Sequence, residues 1–598
     1  MAKKNGEVAR ALGELATLTE IDEGSPQAFR VRAYQNAQRA VEQLPTDVAE
    51  LSAAQLANVK GIGKSIAAKI REYVDTGTMA KLEELRAKHP VGKQELLRVP
   101  GLGPKTIGLL DDLLGIRDLD GLRAALDDGR IANLPGLGEK TADNLRLAIE
   151  QLGLSSKQTR VPLYVAVPLA ERIVAAMRVV DGVEQAAYAG SVRRFRETLG
   201  DLDVLVAATD APAVTEAFLG LGDVGQVIGS GGTKTSVLTR EGVQVDLRIV
   251  PPESFGAALL YFTGSKAHNI RLRQRALKRG MTLNEYALAK LPEDVDADDE
   301  DAEAAPVDRR DLEVVAQRTE DEVYAALDLP WIPAERREDD GEIEAAEAGT
   351  APTLVTREDL RGDLHDHTDW SGDGRASLET MVAAAVERGH EYLAITDHAE
   401  NLRINGISRE GMLRQRRLVR DLEQQRGDIR LFHGAELNIG LDGTLDYDAE
   451  FLAGYDWLVA SVHSHFTRPV TEQTERVVAA IRHPSVTAIG HLHGRMIGKR
   501  PGIELDLDQV LDAAAETGTA IEINCNLRRL DASAEVIREG AARGVTFVIS
   551  TDAHSVPELD NLRHGVANAR RGGLPRDQVA NTWPLDRFVA WVDRVRTA

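Results

Sequence analysis

The chain is nearly free of cysteine. Its 598 residues contain one, Cys525, so no internal disulfide framework can form and a reducing, cytoplasmic compartment is expected. No apolar run reaches the roughly 18 residues of a membrane span, and the start, MAKKNGEVARALGEL, lacks the apolar core of a signal peptide. Secretion and membrane insertion are therefore not expected. An overall excess of positive charge is also missing, since the formal net charge is −23. That deficit is local. Residues 293–350 hold 22 Asp and Glu against 5 Lys and Arg, whereas residues 1–160 are nearly balanced, 23 basic against 22 acidic. DNA binding by the first part is thus not excluded. Histidine is scarce before residue 358, where only His89 and His268 occur; the other 12 of 14 follow. Two chemically different halves are implied. At roughly 150 residues per domain, the length suggests about four domains.

Two stretches break the apolar periodicity. EIEAAEAGTAPTLVTRED (342–359) reads as a flexible linker. PEDVDADDEDAEAAPVD (292–308) reads as a low-complexity acidic insertion, a solvated loop with no function of its own. Near the N-terminus a motif repeats: LANVKGIGKSIAAKI (56–70), LRVPGLGPKTIGLL (97–110) and IANLPGLGEKTADNL (131–145). The glycine pairs Gly61/Gly63, Gly101/Gly103 and Gly136/Gly138 permit a sharp turn between helices with outward backbone N–H groups. The following helix begins at that turn and adds its positive dipole end. One such pair means little, because tight helix–helix turns use glycine anyway. Three with matched apolar flanks point to helix-hairpin-helix units that hold DNA phosphates without reading bases.

Residues 160–250 alternate strand-like and helix-like runs. In YAGSVRRFRETLGDLDVLVAA, Asp201 and Asp203 stand two apart, so on a strand they share a face while Leu202, Val204 and Val206 turn to a core. A second strand, VQVDLRIV, offers Asp246. Three carboxylates on adjacent strands make a hard oxygen site suited to Mg²⁺, and paired ions of that kind suit phosphoryl transfer. Upstream, Gly190-Ser191 with Arg193, Arg194 and Arg196 suits triphosphate oxygens. After YFTGS, a helix is expected to carry Lys266, Arg271, Arg273, Arg275, Lys278 and Arg279, a basic surface for nucleic acid.

These segments taken together resemble family X DNA polymerases, similar in layout to DNA polymerase beta, over residues 1 to about 335. GSVRR, GDLD, VDLR, YFTGSKAHN and LNEY fall in that family's order. The resemblance implies that Asp201, Asp203 and Asp246 are catalytic metal-binding carboxylates for Mg²⁺ or Mn²⁺, with Asp246 helping to deprotonate the primer 3′-hydroxyl. It makes Ser191, Arg194, Gly200 and Gly264 contacts of the nucleotide. Tyr261 and Phe262 would line the sugar pocket, the Tyr261 backbone discouraging a ribose 2′-OH. Asn269 and Arg273 would contact the incoming and template nucleotides in the minor groove. Gln244 departs from the family, standing where the beta-type enzyme has an arginine that orients the third carboxylate. Lys69 falls on the position of the Schiff-base lysine that removes 5′-deoxyribose phosphate; a lysine in a helix beside a hairpin is more often a phosphate contact.

In residues 358–598 apolar runs end in metal-ligand types: His398, Glu436, His463, His491, Asp552 and His554, with His365, His367 and Asp373 in GDLHDHTDWSGDG. In a βα barrel, strand C-termini converge on one face, so such residues reach one pocket. Mixed nitrogen and oxygen donors suit Zn²⁺, Mn²⁺ or Fe²⁺. This half resembles a PHP (polymerase and histidinol phosphatase) domain, a distorted seven-stranded βα barrel. The resemblance places those nine residues around three metal ions, with Glu436 bridging two, and implies phosphoester hydrolysis. His465, His493, Arg495 and Lys499 lie outside the nine and are candidates for phosphate.

The expected architecture is multidomain, α+β and α/β: a helical 8-kDa-like DNA-binding domain (1–90), fingers with helix-hairpin-helix motifs (91–159), a nucleotidyltransferase-type palm (160–250), a thumb with the acidic insertion (251–335), a linker (336–357) and the PHP domain (358–598). The expected activity is gap-filling DNA repair synthesis with metal-dependent 3′→5′ exonuclease, abasic-site cleavage and 5′-deoxyribose-phosphate lyase as further possibilities, acting as a monomer on gapped or nicked DNA and deoxynucleoside triphosphates. The rivals are a repair nuclease whose polymerase half mainly binds DNA, a non-catalytic DNA-binding scaffold, and, for the second half alone, a histidinol phosphate phosphatase.

Overall fold

The computed structural model describes residues 3–596 apart from 24–28, 43, 45, 60, 89–95, 97–98, 100–101, 103, 132–133, 135–136, 139–140, 143–144, 147–159 and 293–311. Gly101, Gly103, Gly136 and the acidic stretch beyond Pro292 therefore lie outside the described residues. Two compact units emerge, Met1–Thr159 and Arg160–Ala598. Among the described residues no helix is long and apolar enough to cross a membrane.

The first unit is helical. Helices Lys3–Glu23, Phe29–Glu42 and Lys64–Thr76 enclose Leu12, Leu15, Val41, Ile66 and Ile70. Helices Pro104–Leu114 and Leu119–Asp127 enclose Ile107, Leu110, Leu122 and Leu126. The first hairpin turns as its sequence requires. Gly61 takes φ +92°, Ile62 is buried, and Gly63 caps the helix Lys64–Thr76.

The second unit opens with the helix Leu163–Arg178 against a five-stranded sheet. Its strands are β1 (Val183–Tyr188), β2 (Leu202–Ala208), β3 (Val224–Ser230), β4 (Lys234–Thr239) and β5 (Gln244–Val250), in spatial order β1-β2-β5-β4-β3. Leu202, Val204 and Val206 enter the core as their alternation predicts. β2 and β5 run parallel, and their register sets Asp203 beside Asp246. Helices Phe255–Thr263 and Lys266–Leu277 follow, then an antiparallel sheet of β6 (Met281–Leu283), β7 (Leu288–Lys290) and β8 (Val314–Ala316).

The segment expected to be an unpacked linker is structured. Glu342–Glu347 forms a helix whose Ile343 and Ala346 join the core with Leu272 and Tyr324. Its acids have partners: buried Glu342 takes His268 Nδ1 at 2.6 Å, and at the surface Glu344 pairs with Arg271 and Glu347 meets Arg275 at 2.8 Å. Arg279 likewise meets Asp328 at 3.2 Å. Three cations expected to face nucleic acid thus hold acidic partners of this chain at the protein surface.

Seven parallel strands complete the unit in chain order: β9 (Gly362–Asp366), β10 (Tyr392–Ile395), β11 (Arg430–Asn438), β12 (Trp457–Ser461), β13 (Ala488–Ile489), β14 (Ala520–Asn524) and β15 (Phe547–Ser550). The sheet curls until its ends meet. Asp366 bridges Ala553, and His367 N–H donates to the Ala553 carbonyl at 2.8 Å. Helix Leu585–Val595 closes one end with Phe588 and Trp591 against Trp457. This barrel packs on the helix Leu163–Arg178 that backs the first sheet. Leu530 is buried in the latter's core, Arg563 clasps Glu171 at 2.6 Å, and Arg528 lies over the Tyr164 ring.

Candidate functional site

Two constellations stand out. In the first, Asp203 and Asp246 face each other across β2 and β5, and Asp201 shares their side two residues earlier. Gly190 sits so tightly on Asp203 that an added methyl group would collide with its Oδ2. Burial, then the charges of Asp201 and Asp246, push the Asp203 carboxyl up to about 7. Asp246 goes the other way: burial would raise it, but the hydrogen bonds from Lys234, Gln244 and Ser236 hold it below the ordinary carboxylate range. Gln244 Nε2 donates to Oδ1 at 3.1 Å, and Lys234 Nζ lies 2.7 Å from Oδ2. Gln244 therefore does reach the third carboxylate, and Lys234 supplies the cation that the sequence reading missed.

Around this pair lie the expected nucleotide contacts. Ser191 belongs to the helical turn Gly190–Arg193, and Gly200 precedes Asp201. Arg194 Nη1 donates to the Thr263 carbonyl at 2.5 Å, beside Gly264. Tyr261 and Phe262 meet edge to face. Asn269 Nδ2 donates to the Tyr261 carbonyl at 2.7 Å and so fixes that backbone. Arg273 sits with Tyr261 and Asn269 around a small hollow. Lys69, on the helix behind Gly63, has its Nζ 3.1 Å from the Ser65 hydroxyl; Gly138 caps the third turn, its carbonyl accepting the Ala142 N–H.

The second constellation lies at the strand ends of the barrel. Three donor groups converge: His367 with Asp373, His398 and His554; His365 with His367 and Asp552; and His398 with Glu436 and His463. His491, the ninth expected residue, reaches Glu436 Oε1 with Nε2 at 2.8 Å. The donors fit divalent cations. His365 Nε2 and His367 Nε2 are buried without a hydrogen bond. Burial and the neighbouring His398 and His554 push His367 down to about 3, leaving a neutral imidazole. Burial opposes the charge on Glu436, yet His463, His365 and His398 keep it ionised. A buried carboxylate ringed by imidazoles, two of whose ring nitrogens lack a hydrogen-bond partner, is a metal-ligand set rather than a packed core, and the barrel half carries a multi-metal donor site.

Several partners of these donors were not foreseen. Glu522 takes His365 Nδ1 at 2.6 Å, Asn438 takes His463 Nδ1 at 2.9 Å, and Asn405 donates to Asp373 at 2.7 Å. Such contacts fix which ring nitrogen faces a metal. The only hint was Glu522 itself, an acid inside the apolar run TAIEIN. Of the phosphate candidates, Arg495 instead binds Glu197 at 2.7 Å and His493 binds Asp531 at 3.3 Å; His465 and Lys499 are exposed. The guanidinium at the cluster is Arg529, its Nε 3.6 Å from Asp552 Oδ2.

Comparison with known proteins agrees with this division. Family models match a helix-hairpin-helix domain at residues 3–79, a SAM-like helix-hairpin-helix tandem at 93–151, a DNA polymerase beta thumb at 258–338 and a PHP domain at 363–526. Probable phosphatases from Vibrio parahaemolyticus and Acetivibrio thermocellus are similar over a shorter part of the chain. They are 30% and 29% identical, covering 34% and 39% of this chain and 81% and 95% of their own. The DNA polymerase/3′-5′ exonuclease PolX of Bacillus subtilis (strain 168) is 36% identical over 599 residues, 99% of this chain and 100% of its own length. With both constellations present and such a relative matched from end to end, the chain belongs to the bacterial family X DNA polymerases that carry a C-terminal PHP domain.

Proposed function

We propose that this chain fills short gaps in DNA by template-directed nucleotide addition, and that its barrel removes nucleotides 3′→5′ and cleaves at abasic sites. The observation that carries this reading is the pairing, in one chain, of facing carboxylates beside a Gly-Ser-rich arginine turn with a histidine-rich donor cluster in a separate barrel. Mg²⁺ or Mn²⁺ at Asp201, Asp203 and Asp246, and up to three Zn²⁺, Mn²⁺ or Fe²⁺ ions at the barrel donors, would supply charge neutralisation and Lewis acidity toward phosphates.

The chain's own groups do the rest. Asp246, held at both oxygens by Lys234 and Gln244, accepts the primer 3′-hydroxyl proton. Ser191 and Arg194 bind triphosphate oxygens. The Tyr261 carbonyl, fixed by Asn269, crowds a ribose 2′-OH. In the barrel Arg529 grips the phosphodiester, while Glu522 and Asn438 orient His365 and His463. A labelled gapped duplex with Mg²⁺ or Mn²⁺ tests both halves at once: the primer lengthens with nucleotides and shortens without them. Shortening without any growth would leave only the nuclease reading.

Lys69 carries the lyase part of the proposal. With an abasic 5′-phosphate substrate, borohydride traps a covalent adduct in the parent and not in Lys69→Ala. Equal adduct in the variant places that chemistry on another amine, and Lys69 is then a phosphate contact.

A further inference from the structure

Arg194, expected to bind triphosphate, is not free in this structure: its Nε lies 3.1 Å from Glu338 Oε1. The same oxygen is 3.9 Å from Arg196 Nη1 and 2.9 Å from Arg571 Nη1. Arg571 comes from the barrel. It sits at the end of the helix Leu562–Gly572, whose Leu562, Val566 and Ala569 are buried in the barrel core. Arg571 is pinned twice more. Its Nη1 donates to the Arg194 carbonyl at 2.8 Å, and its own carbonyl accepts from Arg336 Nη1 at 3.0 Å. Each of Arg194, Glu338 and Arg571 is largely buried, where charges act with little screening.

We infer that Arg571 is a positioning residue of the polymerase nucleotide pocket, supplied by the PHP barrel, and that it acts through Glu338 to free Arg194 for the triphosphate. This rests on the proposed polymerase reading. Glu338 competes with triphosphate for the Arg194 guanidinium. Without Arg571 its close ion pair would be with Arg194, since Arg196 stands at the longer 3.9 Å. With Arg571 on the same oxygen, the carboxylate divides its hydrogen bonds, and the cluster of three guanidiniums and one carboxylate keeps a surplus of positive charge. A polyanion can then draw Arg194 away while Glu338 remains paired with Arg571.

The test measures steady-state addition to a gapped duplex and, separately, Mg²⁺–triphosphate binding by calorimetry without DNA. In Arg571→Ala, the KM for nucleotide should rise about tenfold more than kcat falls, with matching loss of affinity. Arg571→Lys should restore much of it. Glu338→Gln removes the competitor, so adding it to Arg571→Ala should cancel most of the defect. A defect that falls on kcat, or that Glu338→Gln leaves untouched, would mean that Arg571 only holds the fold. An Arg571→Ala variant of unchanged KM and affinity overturns the inference while the polymerase reading stands. A parent that neither binds triphosphate nor extends overturns both. Melting temperatures identify any variant that has simply lost its fold.

Discussion

Asp203→Ala should lower primer extension by about 10³-fold or more, the scale of losing charge neutralisation at a phosphoryl-transfer site. The side chain lies on β2 between buried Leu202 and Val204 and beside Asp246 in the next strand. Its carboxyl is pushed up to about 7 by burial and by the neighbouring Asp201 and Asp246. Removing it relieves repulsion in the fold, so the loss is expected without any fall in melting temperature. The measurement is a time course of labelled primer on a gapped duplex with Mg²⁺ and all four nucleotides. Shortening of the same primer by the barrel should continue. Extension at the parent rate would show that the facing carboxylates are not where the chemistry occurs.

The second large effect belongs to the barrel. His365→Ala with His367→Ala removes two buried nitrogens, and His367 serves two of the three donor groups. The double variant should lose at least one bound metal ion by elemental analysis, and its 3′→5′ trimming should fall by roughly 10³-fold or more. Extension should persist near the parent rate, and net product length should rise because trimming has stopped. Continued degradation would place the nuclease elsewhere. The outcome for extension also bears on the joint between the halves, which is packed and ion-paired through Arg563–Glu171 and Arg495–Glu197 rather than loosely tethered. A folded variant that neither trims nor extends would show that this joint transmits the state of the barrel donors.

The sequence made the primary donors legible because each sits at a position that local periodicity defines. Asp201 and Asp203 obey the two-residue repeat of a strand, and the barrel ligands end apolar runs. What it hid were the partners that come from far along the chain. Glu522 meets His365 from 157 residues away, and Lys234 reaches Asp246 only because β4 and β5 pair antiparallel. The helix Glu342–Glu347 was unreadable for the same reason: the cations its acids pair with, Arg271 and Arg275, stand on a helix some 70 residues earlier. Arg495 looked available for phosphate until Glu197, from the other half, closed on it.

The closure of the barrel sets an order of events at the ribosome. His365 and His367 leave the exit tunnel with β9, but Asp552 and His554 lie beyond β15, the last strand made, and β9 cannot be closed over until that strand exists. Every donor group that includes His367 also needs one of those two late residues. A nascent chain whose helix-hairpin-helix and palm segments are already complete therefore lacks an assembled nuclease. A chain cut short within the barrel would lack both donor groups that contain His367.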